Sequence, residues 1–188
     1  MSKVIFITGA RKGIGRFLAE YFISQGQTVI GCSRRDSDLD HNSYHHYLVD
    51  VSNEKSVVKI VRQIVNKHGS IDVLLNNAGV AAMNAFLLTP GSTAKRVLGT
   101  NTLGTFFMMR EVSKNMMKNR QGRIIIIVAS PRSLPDENHA ALREAVLPAQ
   151  AQEPRATNDR AKGATRGGRR VVVVAGNAQQ YALQDVVW

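Results

Sequence analysis

Residues 3 to 15 constrain this chain most. Lys3 to Thr8 is an apolar run of strand length, and Thr8-Gly9-Ala10-Arg11-Lys12-Gly13-Ile14-Gly15 leads straight into Ile14, Phe17, Leu18, Tyr21 and Phe22 at helical spacing. A strand, a glycine turn and a helix in immediate succession form a βα unit. Glycine permits a tight turn and close backbone approach, and the free N–H groups at the positive end of the helix favour a pyrophosphate. Gly9, Arg11, Lys12, Gly13, Ile14 and Gly15 are therefore candidate phosphate-binding residues. Their place between the first strand and the first helix carries more weight than the glycines themselves.

The alternation continues beyond this unit. Thr28 to Ser33 reads as a second strand and Tyr47 to Val51 as a third, after which Ser52 caps a helix whose apolar positions are Val57, Ile60, Val61, Ile64 and Val65. Ile71 to Asn76 is a fourth strand. Thr89-Pro90 opens a helix through Val97 and Leu98, Leu103 to Met117 is another, and Arg123 to Ala129 is a fifth strand. Near-continuous apolar strands separated by helices predict an α/β fold: a Rossmann-like, doubly wound parallel sheet in three layers. The sequence holds no internal repeat.

Composition changes near Ser130. All 12 isoleucines, all 6 phenylalanines and all 6 methionines precede it, whereas the last 58 residues carry 11 alanines, seven arginines and the prolines Pro131, Pro135, Pro148 and Pro154. Residues 1–130 are expected to form a dinucleotide-binding domain, and 131–188 a divergent, partly disordered segment whose only strand-like run is Val171 to Ala175. The basic excess does not follow this division, since +9 of the formal charge of +11 lies in residues 1–130. The folded part is thus expected to attract an anion.

The second strand ends in Cys32-Ser33-Arg34-Arg35. A fold of this kind that uses NAD usually places an acid here for the ribose 2′-hydroxyl. A guanidinium would instead pair with a 2′-phosphate, so Ser33, Arg34 and Arg35 point to NADP(H), with Lys12 and Arg11 adding charge. The competing reading is a solvated loop whose charge Asp36 partly neutralises. Cys32, the single cysteine, excludes an internal disulfide and reads as a buried apolar residue. No run approaches the roughly 20 apolar residues of a membrane span, and the start lacks the pattern of a signal peptide, so a cytoplasmic location is expected. His41, His45 and His46 lack a cysteine or glutamate at ligand spacing, and no metal is expected. Nucleic acid is not expected either, because the basic residues lack interleaved aromatics.

Several motifs in order resemble the short-chain dehydrogenase/reductase family, especially its oxoacyl-carrier-protein reductases. Thr8 to Gly15 is similar to the family's cofactor turn, Asp50-Val51 to the pair beside the adenine, and Asn76-Asn77-Ala78-Gly79 to the end of its fourth strand. Asn101 in Asn101-Thr102-Leu103-Gly104 resembles the active-site asparagine, and Gly122-Arg123-Ile124-Ile125 the lead into the fifth strand. The resemblance covers about residues 3 to 130 and implies hydride transfer between a nicotinamide and a carbonyl or alcohol carbon. It assigns Asp50, Val51, Asn77, Ala78 and Gly79 to the cofactor. It also implies that the helix from Leu103 pairs subunits into a homo-oligomer. On the same helix the charges of Arg110, Lys114, Lys118 and Arg120 make a basic face that either is solvated or meets an acidic carrier protein. The substrate so implied is a small-molecule or carrier-bound carbonyl.

The family's catalysis uses a serine, a tyrosine, a lysine four residues after it, and the asparagine. Counting from Gly122 without a gap puts the serine position at Ala129; one extra residue puts it at Ser130, the candidate taken here beside Asn101. No Tyr-x-x-x-Lys follows. Tyr181 is succeeded four positions on by Asp185, an anion that would disfavour a phenolate. Val171 to Ala175 resembles the family's sixth strand, which would place His139 to Val146 where the tyrosine helix belongs. The expected function is an NADP(H)-binding oxidoreductase with impaired catalysis. The alternative is a non-catalytic nucleotide-binding or partner-binding protein, arising by divergence, an altered reading frame or alternative processing.

Overall fold

The computed structural model describes residues 2–82, 85–129, 170–177 and 180–187 of the chain. The elements run β1 (Val4–Thr8), α1 (Gly13–Ser24), β2 (Thr28–Ser33), β3 (Tyr44–Leu48), α2 (Glu54–His68) and β4 (Val73–Asn76). A 3₁₀ turn (Phe86–Leu88), α3 (Gly91–Leu98), a π-helical stretch (Gly99–Gly104), α4 (Thr105–Asn119), β5 (Arg123–Ala129), β6 (Arg170–Asn177) and β7 (Gln180–Val187) follow. The strands form one sheet in the order β3-β2-β1-β4-β5-β6-β7. Neighbours from β3 through β6 are parallel, and β7 turns back antiparallel to β6. β2 and β3 are added on one side of β1 and β4 onward on the other, so the order of winding switches between β1 and β4, where a doubly wound fold opens its crevice.

Strand alternation divides the core. Ile5 and Ile7 of β1, with Val29, Leu75 and Ile125, pack on Leu18, Ala19 and Phe22 of α1. Phe6, Ile30, Leu74 and Ile124 face the other way, toward Val57, Ile60 and Ile64 of α2 and Met108 and Val112 of α4. Because successive strand side chains point to opposite faces, a strand covered on both faces must be apolar throughout, and every residue of β1 is buried. One ion pair further joins α2 and α4, and two more within α4 extend it. Arg110 reaches Glu54 at 2.6 Å and Glu111 at 2.8 Å, and Lys114 holds Glu111 at 2.8 Å. Burial alone would push the Glu111 carboxyl up, but the hydrogen bonds from Lys114 and Arg110 outweigh it and hold the group below its ordinary range.

Three elements differ from their expected positions. β3 covers Tyr44–Leu48 instead of Tyr47 to Val51, with Tyr44 beside Val29 and His46 beside Gly31. As an edge strand it is only partly buried, so two histidines fit where a continuous apolar run is not required. The cap of α2 is Asn53, whose side chain accepts from the Ser56 amide at 3.0 Å, whereas the Ser52 hydroxyl donates to Asp50 Oδ1 at 2.7 Å. Besides β6, which contains Val171 to Ala175, the last third holds a second strand, β7. Its Gln180-Tyr181-Ala182-Leu183-Gln184-Asp185 has no apolar run to announce it. Tyr181 lies on this strand opposite Gly176. Asp185 lies four residues further along the same strand, opposite Val172. Ser130 and the stretch His139 to Val146 lie outside the described residues.

Candidate functional site

A cleft of about 890 Å³ opens at the carboxyl ends of β1, β2 and β4. Its floor is the turn after β1. Gly9 and Gly13 adopt φ of 70° and 57°, conformations that L side chains rarely take. A Cβ on Gly15 would stand 2.3 Å from the Gly9 carbonyl oxygen, so α1 approaches the turn only because this residue has no side chain. Lys12 precedes α1 without a capping side-chain hydrogen bond, and the first turn contains no acid. The amides of that turn therefore have no capping carboxylate from their own helix.

Thr8 joins this turn to β4. Its hydroxyl accepts from the Asn77 and Ala78 amides at 3.0 and 2.9 Å and donates to the Leu75 carbonyl at 3.4 Å. The Asn77 side chain donates in return to the Thr8 and Gly9 carbonyls at 3.0 and 3.3 Å. Sequence reasoning used Thr8 only as the start of a motif, although a hydroxyl closing an apolar strand is the visible signal of such a bond.

The structure brings Gly9, Arg11, Lys12, Gly13 and Ile14 to the cleft from the turn, and Ser33, Arg34 and Arg35 from the end of β2. Asp50, Val51, Asn77, Ala78 and Gly79 complete the expected set, while Gly15 packs behind the surface. Cys32, Val49, Val80 and Thr100 also line it. Cys32 is fully buried, and burial pushes its thiol up to about 12. Asp50 Oδ1 accepts from the Ser52 amide at 2.9 Å, which fixes the chain after β3. Among the described residues Arg11, Lys12, Arg34 and Arg35 have no carboxylate within ion-pair distance. Asp36 turns to the Ser37 amide at 2.9 Å and neutralises neither neighbour through an ion pair.

Asn101 lies in the π-helical stretch before α4, and Gly104 lets that stretch approach Val51: a Cβ there would be 2.8 Å from Val51 Cγ2. The Asn101 amide clamps Val80, accepting from its N–H at 2.9 Å and donating to its carbonyl at 3.0 Å. The Thr105 hydroxyl donates to the Asn101 carbonyl at 2.8 Å. Asn101 thus shapes the cleft wall through Val80. Of the three neighbouring histidines, His41 accepts from the Ser43 amide at 3.0 Å, and His45 stacks on His68 with ring centroids 5.3 Å apart. His46 bonds toward β2. Among the described residues no three or more His, Cys, Asp or Glu converge as a metal site. No described helix is long and apolar enough to cross a membrane.

Fold and cleft together define a doubly wound nucleotide-binding protein. The model of the short chain dehydrogenase family matches residues 3–140, and the chain belongs to that family. The 3-oxoacyl-(acyl-carrier-protein) reductase FabG of Buchnera aphidicola is 34% identical over 128 residues, covering 65% of this chain and 52% of that protein. The 3-ketodihydrosphingosine reductase of Bacteroides thetaiotaomicron is 37% identical over 125 residues, or 66% of this chain and 46% of the relative. ElxO with NADP bound superposes with a TM-score of 0.65 at 30% identity, covering 79% of this chain and 65% of that one. The chain spans about half the length of these two curated relatives.

Proposed function

We propose that the chain binds NADP(H) and is an oxidoreductase scaffold acting on a carbonyl or alcohol carbon of a small-molecule or carrier-bound substrate, with impaired turnover. The observation that carries the cofactor reading is the cation set Arg11, Lys12, Arg34 and Arg35, which lines one cleft with no ion-paired carboxylate among the described residues. A phosphorylated dinucleotide fits that set. The glycine turn, packed so closely on the segment after β4 that a Cβ on Gly9 would meet Ala78 Cα at 2.9 Å, would offer its amides to a pyrophosphate, and Arg34 and Arg35 offer bidentate donors to a 2′-phosphate. When bound, the nicotinamide supplies the hydride chemistry. Asp50 and Val51 would border the adenine, and Asn77 holds the turn that receives the phosphates.

The sequence supports impairment. No Tyr-x-x-x-Lys follows Asn101 within these residues, and a missing general acid typically removes about 10²- to 10⁴-fold of rate. The same absence favours the second reading, a nucleotide-binding or partner-binding protein without turnover. The related FabG, a 3-oxoacyl-(acyl-carrier-protein) reductase, supports the carrier-bound carbonyl. Leu98, Leu103, Phe106 and Met117 are about half exposed between the end of α3 and the end of α4, which supports a homo-oligomer that covers them. A cytoplasmic location belongs to the same reading.

Calorimetry tests the cofactor. NADPH is expected to bind more tightly than NADH, and Arg34→Asp to remove the difference; equal affinities in the unaltered protein would defeat the assignment. Carbonyl-dependent NADPH oxidation above a protein-free blank would remove the reading without turnover. The coding DNA, translated in its other two frames beyond codon 128, is expected to show a Tyr-x-x-x-Lys if the last third is a shifted reductase.

A further inference from the structure

Behind the Arg34 and Arg35 turn lies a polar chain that the cofactor reading does not use. β2 leaves its ladder at Ser33, where the Val49 amide donates to the Ser33 carbonyl at 2.9 Å. The next fixed backbone group is the Arg35 carbonyl. It accepts from the Ser33 hydroxyl and lies 3.2 Å from His46 Nε2, which is also 3.0 Å from Ser33 Oγ. On the other side of the ring, His46 Nδ1 is 2.6 Å from the Tyr44 hydroxyl. A carbonyl can only accept, so Nε2 carries the hydrogen and Nδ1 accepts from Tyr44. Burial lowers the imidazole below its ordinary range, against the opposing effects of the Arg35 carbonyl and Asp36, in keeping with this neutral form.

The ladder explains why the chain of bonds exists. Tyr44 and His46, two residues apart on β3, share the sheet face covered by α1, and His46 is paired with Gly31. A Cβ on Gly31 would lie 2.2 Å from the Tyr44 hydroxyl oxygen, so the missing side chain makes room for it. His46 itself does not line the cleft. We propose that His46 is a positioning residue for cofactor discrimination: as its Nε2–H tautomer it draws the Arg35 carbonyl back toward β3 and holds the Ser33–Arg35 turn ready for a 2′-phosphate. Turning that carbonyl inward keeps its negative end away from the phosphate and leaves Arg34 and Arg35 exposed on the cleft side. A dinucleotide without the 2′-phosphate gains nothing from this, because the pyrophosphate contacts lie at the glycine turn. The inference rests on the NADP(H) reading.

The test is the ratio of NADH to NADPH dissociation constants, measured by calorimetry for the full chain and three variants. His46→Leu is expected to lower the ratio about tenfold, as for loosening a hydrogen-bonded support of a charged site, with NADH affinity unchanged. His46→Gln, whose amide nitrogen replaces Nε2, is expected to restore most of the ratio, and Tyr44→Phe to lower it by less than His46→Leu. A ratio near one in the unaltered protein would overturn the NADP(H) reading and this proposal with it. A normal preference that survives in both His46→Leu and Tyr44→Phe, or an equal loss for both dinucleotides, would overturn the role of His46 alone.

Discussion

Thr8 and Gly15 show how far single atoms govern the cleft. Thr8→Val keeps the shape but removes the acceptor of two amides, those of Asn77 and Ala78, at a position only 1% exposed. Buried N–H groups left unpaired each cost about 1–3 kcal/mol, so urea denaturation is expected to show a loss on the order of 2 kcal/mol or more. Gly15→Ala acts differently. Its Cβ would stand 2.3 Å from backbone oxygen, which no rotamer change relieves, so the turn must open. Calorimetry should then show NADPH and NADH weakened together, by about tenfold or more. Joint loss there, against selective loss in Arg34→Asp, separates the shared pyrophosphate floor from the 2′-phosphate wall.

Element by element, the histidines set the response to acid. His45 on β3 and His68 at the end of α2 both fall below the ordinary imidazole range, first by burial and then by neighbouring positive charge, and His46 falls by burial. The unfolded chain therefore binds more protons than the folded one below pH ~6.5. Their contribution to stability is present above that pH and is lost on acidification toward the lower folded values. Urea midpoints are expected to fall between pH 7.5 and 5, and His68→Gln to flatten that fall. The sequence showed β1, α1 and β5 almost to the residue, because burial on both faces and an adjacent glycine turn leave few alternatives. β3 was misplaced since an edge strand tolerates Tyr-His-His-Tyr, and β7 was missed since its mixed residues carry no periodic signal. The cofactor candidates could be read because each belongs to a local motif. The Asn101 clamp on Val80 could not, because it joins residues far apart in the chain, and the Thr8 hydroxyl signals a bond without naming Asn77 as its partner.

Across the whole molecule, the concentration of charge matters more than its total. The basic residues of α4 are partly neutralised, with Arg110 and Lys114 paired to Glu54 and Glu111, whereas among the described residues the four cations of the cleft have no such partner. Raising NaCl from about 0.05 to about 0.5 M should weaken NADPH more than NADH, because the extra phosphate meets exposed guanidinium groups that salt screens. Equal salt slopes would mean that Arg34 and Arg35 do not meet that phosphate. Finally, the hydroxyl of Thr8 and the amide of Asn101 fasten opposite ends of the segment from Asn77 to Val80. The glycine turn and the Val80 side of the cleft are thereby joined through one continuous segment. Four consecutive residues thus carry a tether at each end, to β1 on one side and to the stretch before α4 on the other.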